Sequence, residues 1–392
     1  MQHSSRPLGA AASWRMGGVM NDPRLDRLAQ ILVRYSTAVK PHNLVGLSGY
    51  PFSPEALPLM HAVLREILRA GGYPIPYLQL PYSEGFDHIF YQEANDDQLK
   101  FREPWSEHMI RSLDCDIAIM APTNTRRLSK ADSTRIALFA SSRADLLTLY
   151  LKRAAEGALR WVISSTPTCA YAQDADMGLP DYEDFLFAAT WADQDDPVSM
   201  WSSFSNEQSA LVAKVSGKSS VVVQGPYVDV SFSILDRKFI NCDGRFNMPD
   251  GEIFTGPVED SANGWIESTF PAIYRGVDVG KVRLVLEDGK VVQADAEKNQ
   301  AFLSSMLDSD EGARRLGEFG VGTNQRISTF SRNMLFDEKI AGTIHFALGA
   351  GYPEAGSINE SGIHWDFLCD MREAGTITFD GKPVYEDGKF IL

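Results

Sequence analysis

The sequence contains little cysteine. Cys115, Cys169, Cys242 and Cys369 are scattered over 392 residues, and no two of them form a CxxC pair. Structural zinc sites are closed and rich in cysteine, so this spacing argues against one. It also lacks the paired pattern of a disulfide-stabilised secreted domain. We therefore expect four reduced thiols in a reducing compartment.

Positive charge, long apolar runs and phosphate-binding loops are also scarce or absent. Lysine and arginine number 37 against 52 aspartate and glutamate residues, which gives a net charge of −15. This balance argues against nucleic acid or an anionic membrane as the main partner. No apolar run reaches the length of a membrane span, and neither a GxGxxG nor a P-loop motif supports a nucleotide site. These absences favour a soluble cytoplasmic enzyme.

The length of the chain predicts two domains. Residues 1–21 are expected to form a disordered extension, with Met20 as an alternative start. Residues 22–215 alternate amphipathic helices with short apolar strands such as 114–122, which predicts an α/β domain with an open, mostly parallel sheet. Residues 216–392 are rich in hairpin signals, which predicts an α+β domain dominated by antiparallel strands. This second domain is expected to bind metal and to be catalytic.

The residues best suited to metal binding or catalysis lie between 337 and 366. This stretch holds His345 and His364, and Asp366 follows His364 by two positions. In a strand, residues i and i+2 point to the same face, so the HWD triplet directs an imidazole and a carboxylate to one point while Trp365 faces away. Two histidines and a carboxylate form a metal-ligand set. A histidine in a strand is more often a structural residue, so the pattern alone leaves both interpretations open.

Three further acidic residues strengthen the metal interpretation. Glu252, Glu318 and Glu338 lie among small residues and strand formers, where a solvated helix face is a poor explanation. Structural roles are open for their surroundings as well, because Asp250-Gly251 is a hairpin signal and Glu338 could pair with Lys339. Together with the histidines and Asp366, the three glutamates supply enough donors for two divalent ions in a hydrolase site.

The order of four motifs resembles a known family. The chain reads NMPDGEIFTGPVED, then LGEFGVGTN, then LFDEKIAGTIHFALGAGYPE, then GIHWDFLCDM. This series closely resembles the metal-dependent aminopeptidases of the aminopeptidase T and aminopeptidase S family, peptidase family M29. The resemblance runs from about residue 22 to the end and is densest in the second domain.

The resemblance implies an activity and a set of site residues. Members hydrolyse N-terminal residues from short peptides, carry two divalent ions (zinc, cobalt or manganese) and form homodimers. Matching the motifs residue by residue implies six metal ligands: Glu252, Glu318, Glu338, His345, His364 and Asp366. Glu318 would take the bridging position and act as general base, and Tyr352 would act at the scissile carbonyl.

The expected mechanism follows from such a site. Two nearby ions lower the pKa of a bridging water to near neutrality and polarise the peptide carbonyl. Glu318 would take the proton of this water and pass it to the leaving amine. The Tyr352 hydroxyl would donate to the oxyanion, an interaction worth ~3 kcal/mol. Asp337 and Glu259 are candidates, by position alone, for binding the free α-amino group.

Two other functions are open from the sequence. His345, His364 and Asp366 alone form a 2-His-1-carboxylate set that suits a mononuclear non-haem Fe(II) centre, and ring-cleaving dioxygenases resemble this family. The three glutamates favour two metals and hydrolysis instead. A non-catalytic protein with a structural ion is the second alternative, and the absence of cysteine from the ligand motifs argues against it.

Overall fold

The computed structural model describes residues 22–78 and 83–391. The extension expected over residues 1–21 therefore lies outside the described residues. Within the described ranges, none of the helices combines the length and the apolar character that crossing a bilayer requires.

The N-terminal half alternates strands with helices. Its strands are β1 (Leu44–Gly49), β2 (Tyr73–Pro76), β3 (Cys115–Met120) and β4 (Arg160–Ser165). Its helices are α1 (Pro23–Gln30), α2 (Leu57–Arg69), α3 (Phe86–Glu93), α4 (Asp96–Lys100), α5 (Pro104–Ser112), α6 (Ser133–Ser141), α7 (Ala144–Ala155), α8 (Cys169–Asp174), α9 (Leu179–Ala189) and α10 (Pro197–Val215). A π-helical turn (Ile31–Ser36) extends α1, and a 3-10 turn (Pro54–Ala56) precedes α2.

The C-terminal half consists mainly of strands. They are β5 (Ser220–Gly225), β6 (Val228–Ser233), β7 (Ile240–Cys242), β8 (Asn247–Met248), β9 (Glu252–Thr255), β10 (Asn263–Glu267), β11 (Ala272–Tyr274), β12 (Val277–Val279), β13 (Val282–Glu287), β14 (Lys290–Ala296), β15 (Leu316–Gly322), β16 (Thr343–Gly349), β17 (His364–Asp370), β18 (Thr376–Phe379), β19 (Lys382–Glu386) and β20 (Lys389–Phe390). The helical elements are α11 (Gln300–Leu307), α12 (Met334–Asp337) and a 3-10 turn (Pro353–Ala355).

The first sheet is parallel and has the order β2-β1-β3-β4-β8. Its central strands are apolar because helices cover both faces, and Val45, Ile117 and Val162 are buried. Strand β8 comes from the second half of the chain and pairs with β4. The expected open parallel α/β region is therefore confirmed.

The second half forms two large antiparallel sheets and a small two-stranded one of β11 and β12, which confirms the expected α+β region. One has the order β14-β13-β10-β6-β5-β18-β19-β20, and the other has the order β17-β16-β15-β9-β7. Buried side chains of both sheets share one apolar core, in which the Phe232 ring lies 5.1 Å from Phe319 and 6.1 Å from Phe346. The boundary between residues 215 and 216 stays a prediction.

Side chains alternate between the two faces of the five-stranded antiparallel sheet along β15, β16 and β17. This alternation determines which residue types lie on each face. Phe319 of β15, Phe346 of β16 and Trp365 of β17 are buried in the shared apolar core. Because successive side chains point to opposite faces, their sequence neighbours point away from that core. The opposite face therefore carries acidic residues and histidines.

Candidate metal centre

Strand register brings residues distant in sequence into one row. Glu318 of β15 pairs with Ala347 of β16, and Ala347 pairs with Asp366 of β17. Directly paired residues share a face, so the two carboxylates flank the small alanine. His364 pairs with Gly349 one step along the same face. The row places carboxylates and an imidazole from three strands on one surface.

Glycines on β15 make room for the rest of the site. Gly320 pairs with His345, and a Cβ at Gly320 would lie 2.1 Å from His345 Nε2. A Cβ at Gly322 would lie 2.1 Å from the carbonyl oxygen of Ile340, so the chain after α12 also passes close over this strand. The GEFGVG spacing places both glycines on the same face as Glu318. Sequence analysis did not single out these glycines, although their alternation was a usable signal.

The predicted ligands form two groups. The His345 group consists of Glu252, Glu338 and His345, and the His364 group consists of Glu318, His364 and Asp366. In each group, one ligand atom from every residue lies within 4.8 Å of the others. Strands β9, β15, β16 and β17 supply five of these residues, and Glu338 follows α12. The structure therefore brings together all six residues predicted as ligands.

Glu318 contacts both groups. Its Oε1 lies 3.3 Å from His345 Nε2, and its Oε2 lies 3.3 Å from His364 Nε2. One carboxylate thus spans the two imidazoles with one oxygen each. A carboxylate in this position could be shared by ions bound at the two groups.

Several buried polar atoms of the site are well suited to bind a cation. Glu252 Oε2 and Asp366 Oδ1 are buried and accept no hydrogen bond from any described residue. Leaving such atoms unpaired costs free energy, which a bound ion would offset. His364 Nδ1 donates to the carbonyl oxygen of Ala350 at 2.7 Å, which directs Nε2 towards Glu318 and Asp366. The residues therefore fit divalent metal ions.

The histidines and Glu318 shift each other's protonation. Burial alone would lower the pKa of both imidazoles, but their contacts with Glu318 and nearby carboxylates raise the pKa of His345 to about 9 and that of His364 to about 10. Burial would raise the pKa of Glu318, but hydrogen bonds from both imidazoles outweigh it and lower the pKa to about 2. Without metal, two imidazolium groups therefore flank one carboxylate at neutral pH.

A lysine that sequence analysis treated only as a surface partner lies inside the site. Lys339 is 0% exposed, and its Nζ lies 2.6 Å from Glu252 Oε1 and 3.7 Å from Asp250 Oδ1. It also forms an ion pair with Glu338. Burial would lower the pKa of this ammonium, but the three carboxylates raise it well above the ordinary value. In sequence, DEK resembles a solvated charge cluster, and only the close approach to β15 buries the lysine.

A third set of potential ligands already contains this ammonium. Cys242, Asp250 and Glu252 also offer atoms within 4.8 Å of one another. Lys339 contacts the two carboxylates, so a cation is already present there. Burial raises the pKa of the Cys242 thiol well above its ordinary value, so this sulfur stays protonated and is a poor metal ligand.

Tyr352 lies beside the His364 group. Its ring centroid lies 5.2 Å from that of His364 and 5.1 Å from that of Phe254, and the residue is 39% exposed. Burial of the hydroxyl and the neighbouring carboxylates raise its pKa, so it stays a proton donor. The side chain therefore borders the site and also reaches solvent.

The two carboxylates considered for amino-group binding have other partners. Asp337 accepts hydrogen bonds from the Ser331 amide at 2.6 Å and the Ser331 hydroxyl at 2.8 Å. Glu259 accepts from the Ile358 amide at 2.8 Å and forms an ion pair with Arg237 at 2.5 Å. Neither belongs to the His345 group or the His364 group. Their assignment to the substrate amine stays a prediction without further support.

Sequence comparison identifies similar proteins. The sequence model of the thermophilic metalloproteases, M29, matches residues 21–390. Aminopeptidase 2 of Geobacillus stearothermophilus is 28% identical, and the match covers 94% of this chain and 98% of that protein.

Structural comparison gives two related folds. Wild-type AmpT from Thermus thermophilus superposes with a TM-score of 0.79 at 21% identity, over 94% of this chain and 99% of that one. The 2,5-dihydroxypyridine dioxygenase from Pseudomonas putida KT2440 superposes with a TM-score of 0.58 at 13% identity, over 96% and 99%. At these identities the two superpositions establish a shared fold only. The chemistry has to be inferred from the residues of the site.

Proposed function

Because the chain belongs to the M29 family of thermophilic metalloproteases and is therefore a peptide hydrolase, we propose that it is an aminopeptidase with a dinuclear metal centre. It would release N-terminal residues from short peptides, as the name of its relative Aminopeptidase 2 suggests. The observation that carries the proposal is Glu318, whose two oxygens each lie 3.3 Å from the imidazole of a different ligand group.

Charge balance supports two divalent ions. The site gathers five carboxylates (Asp250, Glu252, Glu318, Glu338 and Asp366) and the ammonium of Lys339. With neutral imidazoles, this set has four uncompensated negative charges, which is the charge that two divalent cations neutralise. Buried charge is costly unless it is paired, so one ion would leave the site poorly balanced.

Glu318 is the proposed general base. Bound divalent ions at such a site lower the pKa of water and polarise a carbonyl. Glu318 contacts both ligand groups, so it is within reach of the attacking water and of the leaving amine nitrogen. It would accept the proton from the water and pass it to that nitrogen.

Tyr352 is the proposed oxyanion donor. Its hydroxyl stays protonated because burial raises its pKa. The ring contacts His364 and is partly exposed, so a substrate carbonyl at the His364 group would meet this hydroxyl. Donation to the developing oxyanion is worth ~3 kcal/mol in comparable sites.

The division of ligands favours hydrolysis over the iron dioxygenase. A mononuclear 2-His-1-carboxylate centre gathers its three ligands around one ion. Here His345 is grouped with Glu252 and Glu338, whereas His364 and Asp366 are grouped with Glu318. This grouping supports two ions, with Glu318 shared between them.

Elemental analysis tests the proposal. Protein reconstituted with Zn²⁺, Co²⁺, Mn²⁺ or Fe²⁺ is assayed for metal per chain and for leucyl-aminoanilide hydrolysis. Two ions per chain, with activity rising as both sites fill, is the expected result. One iron per chain without hydrolysis would overturn the proposal in favour of the dioxygenase.

A substitution at Glu318 tests its role directly. Glu318→Gln should abolish turnover and retain the fold, because the amide can neither accept the proton of water nor bridge two ions as a carboxylate would. Glu373→Gln, at an exposed position away from the site, is the matched control and should keep full activity. Full turnover in Glu318→Gln would contradict the assignment.

A homodimer and a cytoplasmic location are further parts of the proposal. All four cysteines are free, and three of them are buried, which is compatible with a reducing compartment. Sedimentation equilibrium of the purified chain tests the dimer.

A further inference from the structure

Lys339 is a charged group at the site to which the proposed mechanism gives no role. A lysine is almost never fully buried unless it is paired. Lys339 is 0% exposed and is enclosed by carboxylates: Glu252 Oε1 at 2.6 Å, Asp250 Oδ1 at 3.7 Å, and Glu338. Its charge is therefore a fixed component of the centre.

The backbone of Lys339 is held as firmly as its side chain. Its amide donates to Phe336 at 3.0 Å, and its carbonyl accepts from the Asn324 amide at 3.0 Å. A Cβ on Gly322 would lie 3.0 Å from its carbonyl carbon, so strand β15 packs directly against this segment. The backbone from which this buried side chain extends is therefore fixed against strand β15.

The two oxygens of Glu252 have different surroundings, because Lys339 donates a hydrogen bond to only one of them. Oε1 accepts from the ammonium, whereas Oε2 accepts no hydrogen bond from the described residues and lies 3.2 Å from His345 Nε2. The ion pair thus leaves Oε2 as the oxygen that faces the His345 group. Glu338 Oε1 likewise accepts a hydrogen bond from the Lys339 ammonium.

The His364 group has no such cation. Among the described residues, the charged partners of Glu318 and Asp366 are the two histidines, and no lysine or arginine pairs with them. A fixed positive charge repels a divalent cation, and it also occupies an oxygen that would otherwise bind the ion. The two ligand groups therefore differ electrostatically although each has two carboxylates and one imidazole.

We propose that Lys339 is a positioning residue that directs one oxygen of Glu252 to the His345 group and makes that group the weaker of the two metal sites. The inference rests on the proposed dinuclear centre. Its consequence is ordered loading: the His364 group fills first, and the His345 group exchanges its ion more readily.

Titration of the metal-free wild-type chain with Co²⁺ tests the order of loading. Calorimetry and visible absorption should resolve two steps whose dissociation constants differ by about tenfold or more. Asp366→Asn should remove the tighter step, and Glu338→Gln should remove the weaker one. Two steps of equal affinity, or removal of the opposite steps, would overturn the inference.

Lys339→Met tests the cause of the difference. Loss of the ammonium should tighten the weaker step by about tenfold and change the Co²⁺ absorption of that step alone, because Glu252 gains a free oxygen. The control is Lys281→Met, which removes an exposed lysine paired with Glu297 and should leave both steps unchanged. An unchanged weaker step in Lys339→Met would overturn the inference.

These outcomes separate the inference from the proposed function. If wild-type protein binds two ions with equal affinity, the role of Lys339 is wrong and the dinuclear centre stands. If wild-type protein binds fewer than two ions, the dinuclear proposal fails and the inference fails with it. Should Lys339→Met not fold, the wild-type, Asp366→Asn and Glu338→Gln titrations still decide the order of loading.

Discussion

Gly320 is the residue on which the position of His345 depends. The imidazole of His345 lies over the Gly320 backbone, and an added Cβ would lie 2.1 Å from Nε2 and 2.2 Å from Cε1. Both atoms belong to a fully buried ring that cannot swing aside as the end of a flexible chain would. Only glycine at this position allows the imidazole to reach Glu252 and Glu318.

Gly320→Ala should therefore prevent metal binding at the His345 group. The ring must shift, at a cost of about 1–3 kcal/mol for overpacking, and its Nε2 leaves the ligand set. We expect bound metal to fall from two ions to one, and hydrolysis to be lost. Elemental analysis and a thermal melt measure the two effects. The control is Gly280→Ala, where the added Cβ meets only Lys298 at 3.5 Å; equal metal content in both variants would contradict the prediction.

Protonation of the two imidazoles predicts that thermal stability depends on pH differently in metal-free and in metal-loaded protein. Their pKa values rise from the ordinary 6.5 to about 9 and about 10 on folding. This contribution to stability is complete below pH 6.5 and is lost as the pH rises through those folded values. The lowered pKa of Glu318 acts in another window, because its contribution is lost only as the pH falls from 4.5 towards 2.

Metal-free protein should therefore melt at progressively lower temperature between pH 7 and pH 10. Metal-loaded protein already holds unprotonated imidazoles, so it should not lose this stability, and its metal affinity should rise over the same range. Thermal melts of chelator-treated and Zn²⁺-loaded protein across this range measure both trends. Parallel pH profiles for the two forms would rule out protonated histidines in the metal-free site.

At the scale of elements, the connection between β16 and β17 positions Tyr352. Glu259, from the loop after β9, accepts hydrogen bonds from the Ile358 amide at 2.8 Å and the Ser357 hydroxyl at 3.3 Å. Arg237 pairs with the same carboxylate, and both side chains are largely buried. One carboxylate thus fastens the segment that carries the proposed oxyanion donor.

Glu259→Ala should lower kcat and leave metal content unchanged. Its loss frees the segment and moves the Tyr352 hydroxyl, and a displacement of about 1 Å can cost about a hundredfold in rate. Steady-state kinetics with parallel elemental analysis measure the effect. Glu267→Ala, which removes a partly exposed ion pair with Arg283, is the control and should keep its kcat. Loss of metal in Glu259→Ala would show that the loop supports the ligands instead.

At the scale of the whole molecule, the two halves share structure. Strand β8 completes the parallel sheet, and Phe336 and Ile340 are buried in the core of the N-terminal half. The Asn324 side chain donates to the carbonyl oxygens of Ala189 at 3.1 Å and Asp250 at 2.8 Å. The N-terminal half therefore takes an edge strand and part of its core from the second half.

A fragment of residues 22–215 should fail to fold cooperatively. It lacks β8 and would expose the apolar surface that Phe336 and Ile340 cover, at a cost of about 1.5–3 kcal/mol for each such side chain. Circular dichroism during a thermal melt tests this, with the full chain as the control. A sharp melting transition of the fragment would support an independent domain with the boundary at 215/216.

Local sequence pattern was enough to predict which residues share a face of a strand. The two-residue spacing of His364 and Asp366 places them on one face, and Trp365 is buried on the other as expected. Glu252, Glu318 and His345 became candidates because each lies in a strand-like stretch of apolar and small residues, and the resemblance to the M29 family implied that they are ligands. These features depend on the period of a strand, which is a property of neighbouring residues.

Sequence patterns could not predict the features that depend on the register between paired strands. Which histidine joins which carboxylates follows from the pairing of β9, β15, β16 and β17, because residues far apart in sequence become neighbours only across strands. The same pairing places Gly322 against the segment that carries Lys339 and turns an apparent surface lysine into a buried one.

The sequence by itself thus determined the fold class, the family and the ligand types, because these depend on composition, periodicity and ordered motifs. Only the tertiary structure decided how the proposed ligands divide into two groups, that Glu318 spans them, and that Lys339 adds its charge to one. The physical reason is that coordination and electrostatics depend on distances of a few ångströms between side chains, and packing of the strands sets those distances.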